Sequence, residues 1–282
     1  MSQDLSDILL HTPSSVLDAP DPRDHRPTLS KEATRLSIDQ LLALPGLGEF
    51  SSGPSDQGRW SSCTAHAAGN GVDMIRNRWF GSGSSAIPIS RNGAYNAIRS
   101  GLDRLGSDSG LTVREMMAGL TEYGFIDSTI WEPETPHEAP PGNYRDYSMT
   151  FRGSYYNLPM VTDEAARFPE GTDWSLRTWL QFIKLERLPI FVATKIPVGD
   201  MRSSRVYATG VRSLSPYRSF EDEGYWHQEC VEDIIWFDGE IYVVLLGSWG
   251  NSGAKGRWLV PWRNFFDRYY SGQAFAPKED WA

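Results

Sequence analysis

At 282 residues, 40% hydrophobic and 12% aromatic with eleven tryptophans, the chain can bury a sizeable core in one large domain or two lobes. Its 36 acidic residues against 27 basic ones give a formal charge of −9, which argues against a nucleic-acid surface, and no apolar run reaches the length of a membrane span. Cys63 and Cys230 offer no disulfide framework, and Met1-Ser2-Gln3-Asp4 lacks the basic and apolar regions of a secretory signal, so the expected compartment is reducing and cytoplasmic.

Residues 1–50 are rich in Ser, Asp, Pro and Leu and read as an extended arm, with one short helix at Ile38–Leu44. Such an arm either wraps its own domain or reaches neighbouring protein subunits. A polar loop, Asp56-Gln57-Gly58-Arg59-Trp60-Ser61-Ser62, then runs into Cys63. Ala65, Ala68, Val72, Ile75 and Trp79 recur at helical spacing, which predicts a helix from Cys63 with one buried apolar face. Cys63 falls in the first turn, where unpaired N–H groups and the helix dipole favour an anion and hence a thiolate. A lone cysteine is more commonly a small buried hydrophobe. Gln57 sets this one apart, because a nearby side-chain amide can hydrogen-bond the oxyanion formed when a thiolate attacks a carbonyl.

Beyond a loop at Gly81–Ser85, Ser90–Leu102 reads as a helix. Thr112-Val113-Arg114-Glu115 is a capping box, and Val113, Met116, Met117, Leu120 and Tyr123 form a helix stripe ended by Gly124. Residues 134–172 are proline-rich and carry no assignment. Leu176, Trp179, Leu180 and Ile183 mark a helix begun near Thr172 or Asp173, and Pro189–Ile196 a strand. Val231–Phe237 and Glu240–Leu246 are strands joined by the hairpin signal Asp238-Gly239. Gly256–Pro261 completes the β-rich part, Trp262–Tyr270 is predicted as a closing helix, and no internal repeat is visible.

The stretch from Asp56 to Ala68 resembles the nucleophile region of papain-like cysteine peptidases, especially their bacterial branch. Further landmarks follow in the family's order: Asp21-Pro22-Arg23 entering the domain, Asp108-Ser109-Gly110 through Trp131-Glu132-Pro133, the apolar strand from Pro189, Gly224-Tyr225-Trp226-His227, and Gly247-Ser248-Trp249-Gly250. The resemblance implies an α+β, papain-like two-lobe fold. A helical N-terminal lobe at about 51–172 would hold the nucleophile helix, a β-rich lobe about 173–282, and the arm 1–50 would precede them. It also implies Cys63 as nucleophile, His227 as general base and acid, Gln57 as oxyanion donor and Trp249 as a wall of the site.

The chain departs from the family pattern at several points. The Asn that usually orients the histidine is replaced by Gly247, leaving Ser248 or Asn251 as possible orienting substitutes. Ser61 replaces a glycine, His66 stands where an aromatic is usual, Trp60 where many secreted relatives carry a disulfide cysteine, and Gln228-Glu229-Cys230 where apolar residues are expected. The implied activity is that of a cofactor-free thiol hydrolase, a cysteine peptidase acting on peptide or protein substrates through an acyl-enzyme. The alternative is a papain-fold structural or interaction module of a larger assembly, such as a phage virion. A zinc site from Cys63-x-x-His66 and His227-x-x-Cys230 is disfavoured, since residues three apart on a strand face opposite ways; no metal is expected.

Overall fold

The structure, a computed structural model, describes residues 28–81, 88–149, 153–158, 172–201, 204–212, 224–265 and 269–277. The Asp21-Pro22-Arg23 segment and most of the Gly81–Ser85 loop lie outside these residues. Two short helices come first, α1 (Lys31–Arg35) and α2 (Ile38–Ala43). The Ser30 side chain caps α1, and Ser37 with Gln40 forms a capping box on α2. The Arg177 guanidinium donates to the carbonyls of Ala33 and Leu36, Lys184 Nζ to that of Leu44, and Leu47 N–H to that of Glu232. Residues 28–50 therefore run along the sheet lobe of their own chain, with Ala33, Leu41 and Leu47 buried in it.

The helical lobe is built from α3 (Cys63–Phe80), α4 (Arg91–Gly101) and α5 (Val113–Glu122). The capping box read at Thr112 is present: Thr112 Oγ1 accepts from Glu115 N–H, and Glu115 returns the bond to Thr112 N–H. Helix α3 lies between the lobes and is buried on every side from Cys63 to Asn77, not along one stripe. Its polar residues are paired inward: Asp73 with Arg91 at 2.6 Å, Asn77 with the Phe50 carbonyl at 2.7 Å. Trp79, expected in the buried face, is 38% exposed, because the last turn runs out past the core. The helix approaches the sheet so closely that a Cβ on Gly71 would lie 2.4 Å from the Phe191 ring, so only glycine fits there.

The second lobe is a six-stranded antiparallel sheet in the order β1-β6-β2-β3-β4-β5, comprising β1 (Gly153–Leu158), β2 (Ile190–Pro197), β3 (Gly224–Phe237), β4 (Glu240–Leu246), β5 (Arg257–Pro261) and β6 (Tyr269–Pro277). Helix α6 (Thr172–Leu180), prolonged by a π-helical turn at Gln181–Glu186, packs on it. The Asp238-Gly239 turn has positive φ at both residues, as a two-residue hairpin requires. Two sequence expectations are corrected here. The closing helix at Trp262–Tyr270 is only Trp262–Phe265, and the chain from Tyr269 is a strand instead, because it fills the slot between β1 and β2. Strand β3 begins at Gly224, not Val231, because its first half pairs with β2 and its second with β4, so His227 lies within the strand.

Fully buried Trp179, Phe182, Phe265 and Phe275 join the core, each worth about 1.5–3 kcal/mol or more in removed apolar surface. No helix among the described residues is long and apolar enough to cross a membrane.

Candidate active site

Cys63 is the first residue of α3, and its N-cap Ser62 makes no capping bond. The Ser62 hydroxyl instead donates to Asn92 Oδ1 at 3.0 Å. The loop before it is held by Asp108: Ser61 N–H donates to Oδ2 at 2.9 Å and the Tyr95 hydroxyl to Oδ1 at 2.5 Å. Tyr95 oxygen in turn accepts from Gly110 N–H at 3.0 Å. Side-chain hydrogen bonds thus tie the loop before Cys63 to the Asp108–Gly110 loop, and both cysteines are free.

Residues 55–57 pair with 248–250, far along the chain. Gln57 N–H donates to the Ser248 carbonyl at 2.9 Å and Gly250 N–H to the Ser55 carbonyl at 3.0 Å, with a bridge between Asp56 and Trp249. That pairing sets side chain against side chain. The Ser248 hydroxyl donates to Gln57 Oε1 at 2.5 Å, and Gln57 Nε2 donates to the Trp60 carbonyl at 2.7 Å. Ser248 Oγ also lies 3.4 Å from His227 Nε2, a long contact. A hydroxyl has one proton, and it is already given to Gln57. Toward His227 it can only accept, so Nε2 carries the hydrogen and Nδ1 keeps its basic lone pair. Trp249 covers the imidazole at 4.5 Å between centroids.

Of the two substitutes read from the sequence, Ser248 is buried against His227, whereas Asn251 is exposed at the start of the Ser252–Lys255 turn. Gly247 lacks a side chain for a steric reason. A Cβ there would lie 2.6 Å from Trp258 Nε1.

Cys63 is 1% exposed, as is His227. Burial pushes the Cys63 thiol up to about 11, against the pull of hydrogen bonds from Gln228 N–H and from Thr64, with the Glu229 carboxylate pushing the same way as burial. In the resting structure the helix start therefore does not suffice to make a thiolate, contrary to the expectation from its position. His66, one turn along α3, is pushed down to about 3, first by burial and then by Arg91; its Nε2 contacts Asn92 Oδ1 at 3.3 Å.

His227 and Cys230 stand three apart on β3, and no group of three or more His, Cys, Asp or Glu that could hold a metal occurs among the described residues. Sequence reasoning named Asp108 and Glu229 without a structural role for either, and missed Tyr95, Trp258 and Arg212. The usable signal was Glu229 at a position where the family pattern has an apolar residue, since a buried carboxylate needs a cation.

No protein-family model matches the chain, and no curated protein does. Solved structures do. Xylellain, a cysteine protease from Xylella fastidiosa, superposes with a TM-score of 0.69 at 19% identity, covering 95% of this chain and 98% of its own. Digestive procathepsin L 3 of the Tenebrio molitor larval midgut gives 0.65 at 15% identity, over 97% of this chain and 79% of its own. Bromelain from Ananas comosus, in complex with the E64 inhibitor, gives 0.56 at 14% identity, over 83% and 98%. The fold is that of the papain-like cysteine proteases.

Proposed function

We propose that the chain is a cysteine peptidase that opens amide bonds in peptide or protein substrates through an acyl-enzyme on Cys63. The observation that supports this is the buried chain Gln57–Ser248–His227, with the N–H of the next residue on β3, Gln228, hydrogen-bonded to the Cys63 thiol at a helix start. In this reading His227 Nδ1 takes the thiol proton as Sγ bonds to the carbonyl carbon. The carbonyl electron pair moves onto oxygen, where the second Gln57 Nε2 hydrogen and Cys63 N–H receive it; one such donor is worth about 10²–10³ in kcat. Collapse expels the amine, which takes its proton from the imidazolium. Water then repeats the sequence on the thioester and returns the thiol.

The test is an epoxysuccinyl peptide electrophile with intact-mass and peptide-map readout. Thiolate opening of the epoxide forms a C–S bond, breaks a C–O bond and needs a proton from the imidazolium, so it reports the pair and not the thiol alone. We expect one adduct, on Cys63, none on buried Cys230 and none with Cys63→Ala. His227→Ala should slow it at least ~10²-fold, with the residual rate climbing with pH toward the raised thiol value of about 11. No adduct under conditions that modify a control papain-like protease would defeat the reading and leave the interaction module.

Ser248 carries a second expectation, because it fixes both the His227 tautomer and the Gln57 amide. Ser248→Ala should lower the adduct rate about 10–100-fold, while Ser248→Thr, which keeps the hydroxyl, should stay within a few-fold of the parent. Equal rates for the two variants would remove Ser248 from the site.

A further inference from the structure

The space in front of Gly247 is filled. A Cβ on Gly247 would meet Trp258 Nε1 at 2.6 Å and Cδ1 at 3.0 Å, and a Cβ on Gly253 would meet the six-membered ring of the same indole at 3.1–3.2 Å. Trp258, on β5 and 1% exposed, therefore lies between two glycine α-carbons, Gly247 held to glycine by the indole itself and Gly253 by its positive φ of 73°. Its plane is covered by the Arg212 guanidinium, 4.9 Å from the ring centroid. Arg212 is held in turn by a two-pronged pair to Glu229, Nη1 to Oε2 and Nη2 to Oε1, each at 2.6 Å, with Thr194 Oγ1 donating to Oε2 at 3.2 Å.

On its other side the indole meets Trp249 edge-to-face, with centroids 5.8 Å apart, and Trp249 is the ring over His227. Glu229 stands two residues after His227, on the same face of β3. The contacts close a ring: His227, Trp249, Trp258, Arg212, Glu229 and back along the strand.

The Ser248 contact to His227 Nε2, at 3.4 Å, is too long to fix the tilt of the imidazole by itself. Packed aromatic faces supply what that contact lacks, because an indole wedged between two α-carbons has a single rotamer available. We propose that Trp258 is a positioning residue for His227. Its indole, locked by Arg212 and Glu229, fixes the imidazole plane by packing where a side chain at 247 would have done so by hydrogen bonding. This rests on the reading of Cys63 and His227 as a thiol–imidazole pair, and two readouts separate the two claims.

The first is epoxide inactivation of Trp258→Ala, resolved into kinact and KI. We expect kinact to fall about 10–100-fold with KI unchanged. Gly247→Asn in the Trp258→Ala background, where the space is free, should recover at least part of kinact, whereas Gly247→Asn alone should lose it by driving the indole out. A merely structural role would not give that recovery. The second readout is 15N NMR of the His227 ring, which needs no activity. The parent should show one tautomer, protonated at Nε2, and Trp258→Ala a mixture.

If Trp258→Ala does not fold, Trp258→Phe, which keeps a ring against Trp249, should show a smaller drop in kinact of the same kind. Parent-like kinact together with a single parent-like tautomer in the folded variant overturns the inference. So does a double variant no faster than Trp258→Ala alone. A parent that forms no adduct defeats the peptidase reading, and the tautomer measurement then decides the positioning role by itself.

Discussion

Arg212→Met should cost the fold about 3–5 kcal/mol, because it breaks a buried ion pair from one side. Glu229 is fully buried, and its two carboxylate oxygens are satisfied by the two guanidinium nitrogens, with Thr194 adding one longer bond. Removing the guanidinium leaves a carboxylate with one hydroxyl partner in a site without water access, and also strips the cation from the Trp258 face. The pair itself need not be strongly stabilising, because taking two ions out of water offsets most of their attraction. The decisive measurement is therefore a comparison. Urea unfolding of Arg212→Met should show the full loss, and Arg212→Met with Glu229→Gln a clearly smaller one, since the second change removes the stranded charge. A single variant within about 1 kcal/mol of the parent would mean that Glu229 finds water or another cation.

His66 gives the second large effect, and its sign follows from its surroundings. Burial, the Arg91 guanidinium and the neighbouring His227 all oppose a charge on this ring, and together hold it at about 3 despite the hydrogen bond to Asn92, which acts the other way. Its Nδ1 is buried without a hydrogen-bond partner. In the unfolded chain the same ring titrates near 6.5. Stability from His66 is thus complete above pH 6.5 and drains away as pH falls toward 3. The slope approaches about 1.4 kcal/mol per pH unit, for about 5 kcal/mol in all. His66→Phe restores the aromatic that the family resemblance leads one to expect and removes the titration. Its urea midpoint should track the parent at pH 8 and lie well above it at pH 4. Parallel midpoint profiles for the two proteins between pH 8 and 4 would show that His66 does not carry the acid sensitivity.

These two effects mark the boundary of what could be read from the chain. The start of α3 at Cys63, the capping box at Thr112 and Glu115, and the tight turn at Asp238-Gly239 were legible because each depends on residues within four positions of one another. The fold class was legible because Gln57, Cys63, the strand from Pro189, His227 and the Ser248-Trp249-Gly250 segment stand in the order the resemblance requires. Trp79 was misplaced because helical spacing gives the direction of a side chain but not where the core ends. The strand from Tyr269 was read as helix because its place between β1 and β2 is fixed by partners more than seventy residues away.

By itself, then, the sequence determined the local elements, since periodicity, capping and turn chemistry are short-range, and its resemblance to a known family pointed to the fold and to Cys63, His227 and Gln57. Only the tertiary structure decided how the site is held. It set Ser248 rather than Asn251 against His227, put the Trp258 indole where a side chain at 247 would project, supplied Arg212 to Glu229, and raised the Cys63 thiol through burial. Each of those outcomes depends on distance and desolvation between residues far apart in the chain, and neither quantity is written in residue order.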